Sequence, residues 1–209
     1  MKTPDLAILL PRIFTEHLVE QRNVSHRTVT AYRDTFRLLL RFLQRSRRTK
    51  PAELPLQVLT ATSVLAFLSH LESERGNSVR SRNARLAAIR SFLHYASDLL
   101  GSELPEPTRR ALSIPWKRHA RPMLGFLSQE EVQAILNATD NSWTGRRDRL
   151  LFQLLYNTGA RVSELTAVRT RDVLAADGKK IQLHGKGRKD RVVPLWRQTQ
   201  HQVRRWSKD

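Results

Sequence analysis

The chain has 209 residues, 40% of them hydrophobic, and no cysteine. That length fits one large domain or two small ones. The regularly spaced apolar residues exclude a disordered chain, and the lack of cysteine excludes a disulfide framework or a Cys-based zinc site. Lys and Arg number 37 against 19 Asp and Glu, a net charge of +18, which points to a polyanion, nucleic acid by default. Residues 1–120 carry 20 basic and 10 acidic side chains and residues 121–209 carry 17 and 9, so the excess is spread over two basic lobes. The apolar stretch near the N-terminus is cut off by Pro11 and Arg12, and no run approaches a membrane span. A cytoplasmic protein with no membrane association is expected.

Four helices are expected over residues 1–100. The first, from about Pro4 to Gln21, carries Leu6, Leu9, Leu10, Ile13, Phe14 and Leu18 along one side. Ser25 caps the second. Its apolar stripe (Val29, Tyr32, Phe36, Leu39, Leu40, Leu43) is flanked by Arg27, Arg33, Arg37 and Arg41, and the charged run Arg45 to Pro51 ends it. Thr60 opens the third, with Val64, Leu65, Phe67, Leu68 and Leu71. Asn77 or Ser78 caps the fourth, with Leu86, Ile89, Phe92, Leu93 and Ala96 as its core stripe and Gly101 as its stop. The other face of that helix holds Arg80, Arg82, Arg85 and Arg90. Two amphipathic basic helices can lie along DNA with arginines on phosphates; an ordinary solvated bundle face is the alternative. Tyr32 and Tyr95 fall on apolar stripes and read as core.

Residues 101–122 hold Pro105, Pro107, Pro115 and Pro122 among six basic side chains, counting His119. Four prolines exclude a long helix. A basic linker is expected, with Arg118 among its phosphate contacts and His119 on the surface.

In residues 123–209, Ser128-Gln129-Glu130-Glu131 is a capping box that opens a helix through Leu136. Arg146 to Tyr156 forms the next helix. Leu150, Leu151, Phe152, Leu154 and Leu155 are nearly continuous, so burial on most sides is expected, with Tyr156 in the core. Gly159 stops the helix in a left-handed turn and leaves Arg161 on a corner. A guanidinium offers a planar fork of donors that matches a phosphate. Glu164 either neutralises a cluster of Arg161, Arg169 and Arg171 or orients Arg161. Asp177-Gly178 signals a turn. The runs Lys180–His184 and Asp190–Leu195 then pair as a hairpin with Gly185-Lys186-Gly187-Arg188-Lys189 at its tip. Arg161 and Lys186 are expected to meet at one phosphodiester, with Arg188 and Lys189 as further DNA contacts; an exposed basic loop is the alternative.

The segments LLFQLLYNTGARVSELTAVRTRDV and IQLHGKGRKDRVVPL resemble the tyrosine recombinases, or phage-type integrases. They carry T-G-x-R-x-x-E-L and G-K-G-x-K-x-R-x-V-P-L in that order. SHRTVTAYRDTFRLLLRFL and NSVRSRNARLAAIRSFLHYA resemble the family's N-terminal core-binding domain. The resemblance implies a mainly α fold with three parts. These are a four-helix core-binding domain over 1–100, a basic linker over 101–122, and the first half of an α+β catalytic domain with a small β-hairpin over 123–209. It further implies a C-shaped clamp around double-stranded DNA and self-association on it, a tetramer in the family, expected to be impaired here because the tail that packs onto a neighbouring protomer does not follow. Arg161 would bind the scissile phosphate, Lys186 would act as general acid toward the leaving 5′-oxygen, and Glu164 would support Arg161. A 3′-phosphotyrosyl intermediate stores the bond energy, so the chemistry needs no cofactor, ATP or metal.

The sequence departs from that pattern after Lys186. The family's His-x-x-Arg box, its later His or Trp, and its nucleophilic tyrosine lie further on than the 209 − 186 = 23 residues that follow. Tyr32, Tyr95 and Tyr156 all precede Arg161, so no residue matches the nucleophile. His201-Gln202-Val203-Arg204 imitates the box too soon after the hairpin and reads as a decoy, and Trp206 reads as a packing residue. The expectation is a C-terminally truncated member that binds DNA through phosphates and does not cleave it alone. A non-catalytic DNA-binding accessory or regulatory module on the same scaffold is the alternative, and a type IB topoisomerase shares the chemistry. The target site is not legible.

Overall fold

The structure, a computed structural model, describes residues 5–120, 123, 125–174, 178–185, 187 and 189–207. The chain divides into two compact units, Met1–Pro122 and Met123–Asp209. Among the described residues no helix is long and apolar enough to cross a membrane.

In the first unit, α1 (Leu6–Arg12) runs directly into a π-helical segment, Ile13–Gln21. Pro11 has no N–H for the regular ladder, and the wider turns begin just after it. The expected inner side survives this change, since Leu6, Leu9, Leu10, Ile13 and Leu18 are all buried. Helix α2 (His26–Arg47) starts where Ser25 Oγ accepts the Thr28 N–H, and buries Phe36, Leu39 and Leu43. Two short 3₁₀ turns follow, and they bury Leu54, Leu56, Val58 and Leu59 in a stretch that carried no expectation. The Leu54 carbonyl accepts the Leu6 N–H at 3.1 Å and so ties this stretch to α1.

Helix α3 (Ala61–Ser73) is capped by Thr60 and α4 (Val79–Leu100) by Ser78. Val64, Phe67, Leu68 and Leu71 of α3 face the core, but Leu65 is exposed. It lies about 100° round the helix from Val64 and falls off the inner stripe. All five expected core residues of α4 are buried, and Phe92 meets Phe36 of α2 edge-on at 5.2 Å.

The stretch expected to be a linker is not one in its first half. A 3₁₀ turn over Gly101–Glu103, α5 (Glu106–Arg109) and a 3₁₀ turn over Arg110–Ser113 pack back onto the bundle. They bury Leu104, Thr108, Ala111 and Ile114. Prolines forbid one long helix but not short turns with an apolar residue every few positions.

In the second unit, α6 (Gln129–Asn137) has both halves of its capping box between Ser128 and Glu131. Helix α7 (Trp143–Thr158) starts from a Ser142 cap, and α8 (Val162–Leu165) and α9 (Arg197–Trp206) complete the helices. The sheet has the order β1 (Val173–Leu174), β2 (Lys180–His184), β3 (Asp190–Pro194), all antiparallel. The expected hairpin is β2–β3; the short β1 strand is an addition to it. Ile181 and Leu183 of β2 are buried, and Leu151, Leu154 and Leu155 of α7 pack against them.

Burial of α7 on most sides is a correction. Gln153 is its buried residue, whereas Phe152 and Tyr156 are exposed, Tyr156 by 46%. The four leucines and Phe152 of residues 150–155 spread round the whole helix, and one side of it faces the sheet and α9. Tyr156 therefore lies outside the core, edge-on to Trp196 at 5.3 Å.

Phe92→Ala would remove the ring that joins α2 to α4. We expect a loss of about 3–5 kcal/mol in the unfolding free energy of the first unit, read by urea denaturation. A loss below about 1 kcal/mol would contradict its place in the core.

Candidate functional site

The corner that carries Arg161 is built by local chemistry. At the end of α7, Thr158 Oγ1 donates to the Leu154 carbonyl at 2.6 Å and accepts the Ala160 N–H at 3.2 Å. Gly159 caps the helix in the left-handed region at φ 59°, which glycine adopts without a Cβ penalty. Asn157 fastens the corner to the strand end. Its Nδ2 donates to the Pro194 carbonyl at 3.3 Å, and its Oδ1 accepts the Trp196 N–H at 2.8 Å. Arg161 is then the N-cap residue of α8, in extended conformation.

Glu164 organises this site. Its side chain is 4% exposed. Oε2 accepts the Arg161 N–H at 3.0 Å and Arg191 Nη2 at 2.7 Å, and Oε1 accepts Arg161 Nη1 at 2.8 Å. A buried carboxylate is tolerated when it is paired and hydrogen-bonded in this way. The hydrogen bond from Arg191, then those from Arg161, hold its carboxyl at about 2, well below the ordinary 4.5. The Arg161 side chain remains 66% exposed, so most of its guanidinium faces solvent.

Arg191 is a site residue that the sequence reading does not include. It lies in β3 opposite buried Leu183, on the inner face of the hairpin. Strand alternation from Leu183 could have found it. Asp172 serves the next turn instead: it accepts the Arg169 backbone N–H at Oδ2 at 2.8 Å, and Arg171 Nε lies 3.9 Å from Oδ1. Of the two roles considered for Glu164, the orienting one fits the geometry.

The hairpin base abuts the same carboxylate. The Gly185 N–H donates to the Lys189 carbonyl at 2.8 Å and closes the loop. A Cβ at Gly185 would lie 2.8 Å from that carbonyl oxygen and 3.3 Å from Glu164 Oε1. The close approach requires glycine. Lys186 and Arg188, expected at the tip, lie outside the described residues, as does Asp177 of the expected turn; Lys189 is exposed. His184, at the end of β2, bridges two carboxylates, with Nδ1 2.9 Å from Asp190 Oδ1 and Nε2 3.5 Å from Asp172 Oδ1. Asp190, then Asp172, raise its pKa above the ordinary 6.5.

Two family models match the sequence: the phage integrase N-terminal SAM-like domain over residues 12–98 and the phage integrase family over residues 125–209. A putative integrase/recombinase of Sinorhizobium fredii, y4rC, is 42% identical across all of this chain and 63% of its own length. A second from that organism, y4rD, is 42% identical over 91% of this chain and 68% of its own. The chain belongs to the tyrosine recombinases. The XerC tyrosine recombinase of Pseudomonas fluorescens is 30% identical over 92% of this chain and 61% of its own length. The chain thus spans about two thirds of the curated relatives it matches.

Two solved structures share the recombinase fold. The Tn1549 transposon integrase in complex with circular intermediate DNA has a TM-score of 0.64 at 15% identity, covering 99% of this chain and 66% of that one. The XerH site-specific recombinase bound to palindromic difH substrate has a TM-score of 0.62 at 19% identity, covering 90% and 54%.

In this recombinase chain the expected DNA-contacting arginines separate into two groups. Arg27, Arg33, Arg37, Arg80 and Arg118 are exposed, with Arg37 3.6 Å from Asp34. Arg82 is not on an open face. It is 6% exposed, and its Nη1 donates to Asn83 Oδ1 and to the Pro115 carbonyl. It sits one turn before Leu86 on the core stripe of α4, a spacing that was legible. Arg85 donates to Thr35 Oγ1 of α2 at 3.1 Å, and Arg90 lies 5.3 Å over the Trp116 ring. The His201–Arg204 run lies within α9, and Trp206 of that helix packs against Trp143 at 5.3 Å.

The lowered pKa of Glu164 has a definite sign. Its ionised form is favoured by folding, so its contribution is complete above about pH 4.5 and is lost as pH falls through about 2. Measured by urea midpoint from pH 6 to 2, Glu164→Gln is expected to start less stable at pH 6. It should then lose less than the parent chain on acidification, because the other carboxylates are common to both. Parallel curves would contradict this arrangement.

Proposed function

We propose that this chain binds double-stranded DNA through the exposed arginines of its basic faces and grips one phosphodiester at the Arg161 corner. The observation that carries the reading is Glu164: a buried carboxylate holds two guanidiniums and leaves Arg161 turned outward. Non-specific DNA binding needs positive charge but no such fixed donor. A rigid guanidinium complements the charge that builds on phosphoryl oxygens during in-line displacement. Arg27, Arg33, Arg37, Arg80 and Arg118, with Lys189, supply the backbone contacts; Arg82 is withdrawn from that set. Sequence similarity to integrases and recombinases supports the reading.

Lys186 follows Gly185, whose Cβ position adjoins Glu164. We assign Lys186 as the general acid that protonates the leaving 5′-oxygen. A lysine among cations has its pKa pushed down toward a usable range. No tyrosine follows Arg161 in these 209 residues, so they are proposed to hold the phosphate without attacking it.

Two measurements test these proposals. Anisotropy with duplex DNA is expected to show affinity falling by about 10³-fold or more between about 50 and 200 mM salt. Arg161→Ala should weaken binding on every duplex and reduce the log–log salt slope by about 1; a flat salt dependence would sink the DNA reading. Incubation with a nicked suicide substrate should trap no covalent protein–DNA adduct. An adduct would overturn the non-cleaving assignment and direct the search to Tyr156, the exposed tyrosine of the second unit.

A further inference from the structure

The first unit contains a concavity of about 500 Å³ that the recombinase reading does not use. That volume lies within the range of small-molecule sites, about 300–1,000 Å³. It opens between the end of the π-helical segment, α2 and the C-terminal half of α4, with Trp116 at its edge. Its walls combine aromatic rings with cations. Tyr32 and Trp116 supply rings, Arg22 and Arg90 supply guanidiniums, and Asp98 supplies an acceptor. Ser91 also lines it, and its Oγ is inaccessible with no hydrogen-bond partner among the described residues.

The walls are held in place. Trp116 is half-exposed, with the Arg90 guanidinium 5.3 Å from its ring centroid. The next residue is pinned twice: Asn83 Nδ2 donates to the Lys117 carbonyl at 2.8 Å, and Lys117 Nζ is 2.9 Å from Glu72. On the opposite side the His17 and Tyr95 rings lie 5.3 Å apart, and the Tyr95 hydroxyl donates to Glu16 Oε2 at 3.3 Å. An exposed, pre-oriented indole in a concavity that also holds two guanidiniums suits a planar ring that carries an anion.

We propose that this concavity binds one unstacked nucleotide, with its base on Trp116 and Tyr32 and its phosphate on Arg22 and Arg90. Aromatic platforms beside guanidiniums take single bases because every base has a π-face. Asp98 accepts from the N–H groups of the base edge. Two sources offer this chemistry: a free nucleoside monophosphate and an extrahelical nucleotide of a DNA strand. All of the residues lie in the first unit, so the site does not depend on the Arg161 corner.

Isothermal titration of the full chain with 2′-deoxyguanosine 5′-monophosphate and with inorganic phosphate tests the site. The nucleotide is expected to bind about tenfold or more tighter than phosphate, and Trp116→Ala should bring the two within about twofold. If Trp116→Ala loses helical circular dichroism, Trp116→Leu replaces it, since leucine keeps apolar cover without the stacking face. Nucleotide no tighter than phosphate, or an advantage that survives loss of the indole, would overturn the proposal. A duplex with a single-nucleotide bulge, compared with the fully paired duplex, identifies the source. A Trp116-dependent preference for the bulge assigns the site to DNA, and nucleotide binding without that preference assigns it to the free nucleotide. Affinity for the paired duplex reports separately on the general DNA reading.

Discussion

A carboxylate buried in the second unit cannot stay ionised without partners, and Glu164 has three donors from two elements. Two come from Arg161 at the entrance of α8 and one from Arg191 in β3. The corner after α7 and the β2–β3 hairpin therefore converge on one charge. Gly185 adds a steric constraint beside that carboxylate, because a Cβ there would lie 2.8 Å from the Lys189 carbonyl oxygen. Removing either guanidinium leaves a buried charge half paired, which is costlier than losing a surface ion pair. The exposed direction of Arg161 depends on this arrangement.

Net charge overstates how many arginines are open to a polyanion. On α4, Arg82 is spent on the Pro115 carbonyl and Arg85 on Thr35. Each of these pins one part of the first unit to another. Arg80, at the start of the same helix, is exposed. Arginine thus serves in this protein both as a cross-link between elements and as surface charge. Its long stem and planar fork allow both roles.

The elements that were legible in the sequence rest on short-range chemistry. Ser25, Thr60, Ser78 and Ser128 announce helix starts because an N-cap is satisfied within three residues. Gly159 announces a stop for the same kind of reason, and Ile181 and Leu183 announce the buried face of the hairpin. What was not legible depends on partners far along the chain. Arg191 meets Glu164 across 27 residues, and Arg82 meets Pro115 across 33. Leu104, Ala111 and Ile114 return to the bundle through turns whose prolines suggested an open linker. Phe152 and Tyr156 share a run with buried leucines, and the run alone does not say which side of α7 is covered.

The pairing of β2 with β3 has a consequence for insertions and deletions. Arg191 lies opposite Leu183, and Val193 opposite Ile181, so cation and core residues share one side of the hairpin. Changes in length within the tip between Gly185 and Lys189 leave that parity intact. A one-residue slip inside β3 reverses it, bringing Asp190 or Val192 toward Glu164 in place of the guanidinium. The strand is thus a reading frame in space. Its tip can grow or shrink, but a shift of one position within it would bring an acid or an apolar side chain to a carboxylate that requires a cation.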